Sequence, residues 1–387
     1  MIDTERQKRV ITTLRERHLD AVICGSATEV LLLSGYWPVM GASIAIFTAQ
    51  GELLVVLPED EIELAGKSSQ ATLTPYKPAD LARLITPVEA ITDPLRSIIL
   101  RLGLRRATIG IQVEPGMQPA SYASCTDFRP ALFKLMQSVM PDATYIACDQ
   151  VLEQLKAQKT PTELEQLGKA AEIAATGFGI AANSVRVGRR EAEVAADIQA
   201  AFQTCPKAAE AQRSYGFIFC MSGPNSACAS AAYARTRQRK IEQGDLVMIH
   251  ANTCADGYWT DITRTYTAGA PDQRKEAMRS AITKASKAAL AAVRPGVSAR
   301  EVDGAARRVM VAHGFGDAFK HSTGHGVGFA AVDANALPRI HPHSPDVLDV
   351  GMTFNIEPAA YFDGYGGMRH CDVVAVTRDG ASVLTGF

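Results

Sequence analysis

His250 and Asp261 lie on opposite arms of the segment from Gly244 to Tyr266, GDLVMIHANTCADGYWTDITRTY, which reads as a β-hairpin. An apolar-alternating run from Leu246 to Asn252 leads to Asp256-Gly257, a strong turn dipeptide, and an aromatic, Thr-rich run follows from Tyr258 to Tyr266. Side chains alternate faces along a strand, so His250, Asn252, Asp261 and Thr263 share one face, with Asp261 opposite His250 or Asn252. An imidazole facing a carboxylate in an apolar sheet needs a reason, because burying an unpaired charge costs several kcal/mol. Metal ligation and proton transfer are the two chemistries that supply one.

Four further segments carry reactive side chains: SGPNSA (222–227), HSTGHGVGF (321–329), GMTFNIEPAAY (351–361) and GGMRHCDVVAVT (366–377). Thr353, Asn355 and Glu357 alternate outward together if their segment is a strand. Arg369 and Cys371 share a face by the same period, and His370 and Asp372 point the other way. His321 falls on the face of His325, four residues on, if that segment too is extended. Arg369 is the best candidate to hold an anionic group, since guanidinium pairs bidentately with carboxylate, with Asp372 as the alternative structural partner. Asn225 is either a substrate contact or a turn residue. Tyr258 and Trp259 read as sheet packing, Cys228 and Cys254 as small buried residues, and His341 and His343 as a solvated Pro-rich loop.

The elements that position these groups divide into two patterns. Thr4 to His18 is an amphipathic helix. Short apolar runs follow at 21–24, 44–47, 53–57 and 108–111, with helical stretches at 59–66, 93–103 and 130–137, the alternation of an α/β domain. Residues 1–149 form this domain. A linker helix, 150–165, opens the second domain, 150–387. The segment breaks at Thr160-Pro161, where Pro161 suits the first turn of a new helix. Helix 191–203, a strand at 216–222, the hairpin, helices 273–293 and 299–312 and three strand-like segments complete an α+β domain.

The length of 387 residues makes two domains the natural expectation. A composition 47% hydrophobic and 21% charged is that of an ordinary soluble globular protein. A net charge of −1 gives no footprint for nucleic acid or an anionic membrane surface. No run approaches the roughly 18 apolar residues needed to span a bilayer. The charged N-terminus is not a signal peptide. Eight cysteines without CxxC spacing indicate reduced thiols in a cytoplasmic protein.

The hairpin resembles the first ligand hairpin of the pita-bread metallopeptidases (prolidase, aminopeptidase P, methionine aminopeptidase and metal-free creatinase), whose pattern there is roughly GDLVLIDxGxxxxGYxxDITRT. The likeness extends to the other four segments and covers nearly the whole chain. EVLLLSGYWP (29–38) is similar to the NxxYLTGY strand of the creatinase-type N-terminal domain. The resemblance implies a creatinase-type α/β N-terminal domain followed by an α+β pita-bread domain, and a homodimer. It places Asp261, His325 and Glu357 on metal-ligand positions, with His250 where an aspartate stands and Cys371 where a glutamate stands. It also implies substrate contacts at Asn225, Asn252, His321 and Arg369. The prolidase-type histidine seven residues after the ligand histidine is Val332 here, and CASAAYARTRQ lacks the histidine found after the GxNS segment.

These substitutions point to a hydrolase that cleaves an amide or related C–N bond in a small substrate, dipeptide-like or a modified amino acid, rather than a general proline peptidase. Imidazole and thiolate are good ligands for borderline metals. One divalent ion, zinc, manganese or iron, held by Asp261, His325 and Glu357 with His250 or Cys371, is the leading expectation. Glu357 then acts as base, with His325, His321 and Arg369 as its partners in catalysis and binding. Two alternatives stand beside it: a metal-free creatinase-like site with His325 and Glu357 as the acid/base pair, and a non-catalytic binding protein.

Overall fold

The computed structural model describes residues 3–114, 129–228, 236–333 and 335–387. They divide into two compact units, the first running to Lys156 and the second from Ala157 to Phe387.

The first unit contains α1 (Thr4–Glu16), β1 (Ala21–Cys24), α2 (Ala27–Ser34), β2 (Ile44–Thr48), β3 (Leu53–Pro58), α3 (Ile62–Ser68), β4 (Thr72–Tyr76), α4 (Pro87–Arg101), β5 (Thr108–Ile111), α5 (Arg129–Val139), β6 (Thr144–Ala147) and α6 (Asp149–Ala157). Its sheet runs β4-β3-β2-β1-β5-β6. β1 is antiparallel to β2 and parallel to β5. Ile23, Ile46, Val56 and Ile109 face Ile91, Leu95, Leu132 and Met136 in one apolar core. The segment 29–38, expected as a strand, is helical through Ser34. Its apolar run Val30–Leu33 is buried on every side, so it has no strand-like alternation to follow, and Gly35 closes the helix in the left-handed region at φ 75°. β4 and β6 are additional edge strands.

In the second unit, α7 (Pro161–Ser184) starts with a reciprocal Thr160/Glu163 capping box and Pro161 in the first turn. Then come α8 (Glu191–Gln203), β7 (Ser214–Ser222), β8 (Leu246–Ala255), β9 (Tyr258–Trp259), β10 (Ile262–Thr267), α9 (Gln273–Ala292), α10 (Ala299–Ala312), β11 (Thr353–Ile356), β12 (Ala359–Phe362), β13 (Gly366–Arg369), β14 (Asp372–Val376) and β15 (Ala381–Val383). β8 lies between β7 and β10. Its odd-numbered residues Val247, Ile249, Ala251 and Ala255 pack with α7 and α8 in one core, which leaves its even-numbered residues on the opposite face. A separate core joins α9 and α10 to β11, β13 and β14.

The segment 321–329, expected as a strand, forms only isolated bridges, Gly324–Ile340 and Gly326–Phe354. It nevertheless runs antiparallel beside 353–357, through the pairs Val327–Thr353, Asn355–His325 and Glu357–Thr323. The reason for its glycines is close backbone approach: a Cβ on Gly324 would lie 1.8 Å from Asn355 O.

Candidate functional site

The hairpin register places Thr263 opposite His250 and Trp259 opposite Cys254. Both pairs belong to one register, in which Asp261 falls opposite Asn252. His250, Asn252, Asp261 and Thr263 are all buried. His250 Nδ1 lies 3.0 Å from Thr263 Oγ1 and 3.6 Å from Asp261 Oδ1. The 321–327 segment brings His325 Nε2 to 3.6 Å from Asp261 Oδ2. The main-chain bridge between Thr263 and Cys371 joins the hairpin to the β13–β14 connection, and Cys371 Sγ donates to Asp261 O at 3.2 Å.

The hydrogen bonds define the proton positions. Asn252 Nδ2 donates to Thr260 O and Ala331 O at 2.9 and 2.8 Å. Its Oδ1 therefore faces His250 Nε2 at 3.2 Å, so that nitrogen carries the proton. His250 Nδ1 keeps its lone pair and accepts from Arg369 Nη2 at 3.0 Å. Burial, with the positive charge of Arg369, holds the His250 imidazole well below its usual range, and it stays neutral. His325 Nδ1 lies 3.0 Å from Gly326 O, an acceptor only, so Nε2 has the lone pair. The Asn355 amide approaches that nitrogen at 3.3 Å.

Asp261 is thus flanked on both sides by unprotonated ring nitrogens. Its Oδ2 is buried and has no hydrogen-bond partner among the described residues. Burial raises its carboxyl above the usual carboxylate range, with the positive charge of Arg369 pulling the other way.

Arg369 connects the rest of the site. Nε donates to Thr263 Oγ1 at 3.0 Å, and Nη1 lies 3.5 Å from Glu357 Oε2. It shares a side-chain hydrogen bond with Tyr361, whose hydroxyl burial pushes up to about 12. The Tyr361 hydroxyl meets His321 Nε2 at 3.0 Å. His321 Nδ1 donates to Ser322 O at 2.7 Å, so the tyrosine is the donor to Nε2. Burial lowers the His321 imidazole from its usual range. Asp372 pairs with Arg264 and His370 instead, at 2.6 and 2.8 Å, leaving Arg369 to the site.

Of the expected residues, His250, Asn252, Asp261, His321, His325, Glu357, Arg369 and Cys371 are connected by these contacts. Asn225 lies in the turn 223–227 that follows β7, with Nδ2 donating to Glu191 Oε2 at 2.8 Å. His341 and His343 are exposed. Most of CASAAYARTRQ, residues 229–235, falls outside the described residues. Sequence reasoning missed Tyr361, although it closes the GMTFNIEPAAY segment and stands at a same-face spacing from Glu357. It also missed Asp303, buried on α10, which accepts from Thr323 N and Thr323 Oγ1 at 3.0 and 2.8 Å and so holds the segment carrying His325.

Residues 165–378 match metallopeptidase family M24. The Xaa-Pro dipeptidase of Pyrococcus furiosus is 30% identical over 381 residues, covering 98% of this chain and 97% of that protein. The chain belongs to metallopeptidase family M24. A probable dipeptidase PepE of Mycobacterium bovis is 37% identical over 257 residues, 66% of each protein. The crystal structure of the prolidase from Pyrococcus horikoshii superposes with a TM-score of 0.78 at 25% identity, covering 99% of this chain and 98% of that one. The M24 chain is accordingly a pita-bread-fold hydrolase acting on peptide C–N bonds.

M24 membership implies a divalent metal. Asp261 and His325 are the described donors that face one another across the site. Asp261 Oδ2, buried and orphaned, faces the His325 lone pair at 3.6 Å, an arrangement that repels until a cation or proton lies between. Among the described residues no three His, Cys, Asp or Glu side chains converge as a metal-binding group.

Proposed function

We propose that this M24 chain is a dipeptide-type hydrolase working with a single divalent ion, which Asp261 and His325 would hold. The carrying observation is the orphaned Asp261 Oδ2 facing the lone pair of His325. The ion would supply Lewis-acid polarisation of the scissile carbonyl. His250 is left out of the ligand set: its Nδ1 accepts from a charged donor, Arg369 at 3.0 Å, where His325 Nε2 meets only the neutral Asn355 amide at 3.3 Å, and its Nε2 proton is used by Asn252. Asn252, with both amide protons given to main-chain carbonyls, holds His250 rather than substrate. Cys371 lines the site, its Sγ donating to Asp261 O at 3.2 Å.

Glu357 is the proton carrier. It takes a proton from the attacking water and returns it to the leaving amine. Arg369, 3.5 Å away, orients that carboxylate and offers the fixed positive charge for the substrate carboxylate. His321 acts through Tyr361, holding its hydroxyl in place beside Arg369.

Relatives named Xaa-Pro dipeptidase and probable dipeptidase PepE support dipeptides as the substrate class. With Val332 at the prolidase histidine position, proline in the second position is not required. No described helix is long and apolar enough to cross a membrane. The seven described cysteines are all free, which supports a reducing, cytoplasmic setting. The assembly we propose is a homodimer, on the resemblance to the pita-bread peptidases.

Purified protein is assayed against Xaa-Pro and other dipeptides, with and without chelator. Hydrolysis abolished by chelator, by Asp261→Ala and by Glu357→Ala supports the reading. Activity that persists after the ion is removed overturns the metal step in favour of a creatinase-like site. No hydrolysis of any dipeptide overturns the substrate class.

A further inference from the structure

The Glu191 carboxylate, at the first turn of α8, is fully buried at 0% exposure. Its Oε1 accepts from Ser222 N and Ser222 Oγ at 2.6 and 2.7 Å. Its Oε2 accepts from Asn225 Nδ2 and Arg237 N at 2.8 and 2.9 Å. One side chain thereby fastens the end of β7, the turn 223–227 and the chain at 237. Arg239 Nη1 donates to the same Ser222 hydroxyl at 2.7 Å.

The turn in turn fixes β13. Gly367 N donates to Ser226 Oγ at 2.9 Å, and that hydroxyl donates to Gly223 O at 2.7 Å. The two backbones touch: a Cβ on Gly367 would lie 2.3 Å from Ser226 O, and one on Gly366, at φ 137°, would lie 3.0 Å from Gly223 O. β13 ends at Arg369, whose guanidinium holds His250 and Glu357. A shift of the turn is therefore passed along a short, close-packed strand to Arg369.

We propose that Glu191 is a positioning residue for substrate binding, setting Asn225 directly and Arg369 through Ser226 and Gly367. Two acceptor oxygens matter because four donors converge on this side chain. An amide at this position accepts through one oxygen only, which strands donors in a buried place. The role presupposes the dipeptide hydrolysis proposed above.

Glu191→Gln tests it. KM for a dipeptide cleaved by the wild type should rise about tenfold or more as Asn225 and Arg369 shift, and kcat per titrated active site should fall with it, because Arg369 also orients Glu357. Amide hydrogen exchange should quicken at 222–228 and at 366–369 and stay unchanged in the middle of α10. Ser226→Ala, which breaks the link further along, should give the same rise in KM. Combined with Glu191→Gln, it should add less than the product of the two effects. An unchanged KM per active site with only a lower Tm, or fully multiplicative effects, overturns the proposal. If the wild type cleaves no dipeptide, the substrate reading fails by itself. Exchange at 366–369 then decides this one: unchanged exchange there overturns it.

Discussion

Asp261 Oδ2 lies 3.6 Å from His325 Nε2, and no described residue donates a hydrogen bond to that oxygen. A buried carboxylate oxygen held against a lone pair costs stability, and its value is to attract a cation. Asp261→Asn should therefore remove function and strengthen the metal-stripped fold, because an amide can donate to His325. We expect a gain of about 1–2 kcal/mol, a Tm rise of roughly 2–4 °C per kcal/mol for a unit of this size. Calorimetry of both proteins after chelation checks it. A lower Tm in the asparagine variant contradicts this account of the pair.

The neutral His250 accepts a hydrogen bond from Arg369 where a carboxylate would balance its charge as well. His250→Asp should fold, since Arg369 gains an ion-pair partner, and it should leave the ion count unchanged. Adding Cys371→Glu restores two carboxylates to the site, and the double variant should take up a second ion, read by metal analysis of desalted protein. A second ion in the wild type already, or none gained by the double variant, shows that these two positions do not set the stoichiometry.

The backbone between His321 and His325 leaves no room for a side chain at Gly324. Gly324→Ala would place its Cβ 1.8 Å from Asn355 O, forcing the 321–327 segment away from β11. We expect a loss of about 3 kcal/mol or more in stability, with His325 displaced and kcat/KM reduced at least about tenfold. Chemical denaturation and kinetics on the same preparation check both parts.

The first unit has its own pH dependence. Glu29 is buried, and burial alone would raise its carboxyl. Lys156 at 2.7 Å more than offsets that and holds it below the usual carboxylate range. A depressed folded pKa gives stability that is present above the unfolded value of about 4.3 and lost as pH falls through the folded one. Glu29→Gln should cost about 3 kcal/mol at pH 7 and flatten the loss of Tm below pH about 4. A parallel decline of Tm with pH in both proteins would show that the pair does not contribute.

Much of the fold is legible where local chemistry is strong. Asp256-Gly257 marks the hairpin turn, and the Thr160-Pro161 step with Glu163 marks the start of α7. The bounds of α8 and α10 follow from their apolar spacing. α2 escapes such reading because its apolar run is buried all round and shows neither period. The 321–329 segment escapes it because its glycines serve close approach rather than strand pairing. At the site, the hairpin face and the Arg369–Cys371 alternation are visible, because alternation is a local rule. Glu191 is not, since its partner Ser222 lies 31 residues away and no periodicity links them. The proton positions on His250 and His325 are equally hidden, because Asn252, Ala331 and Gly326 assign them only in three dimensions.

The number of ions bound tests the single-ion site most directly. Protein loaded with excess manganese, cobalt or zinc and then desalted should hold about one ion per chain, with its anomalous signal between Asp261 and His325. Two ions per chain, or a signal at His250, would contradict it, and so would full dipeptidase activity with no ion bound.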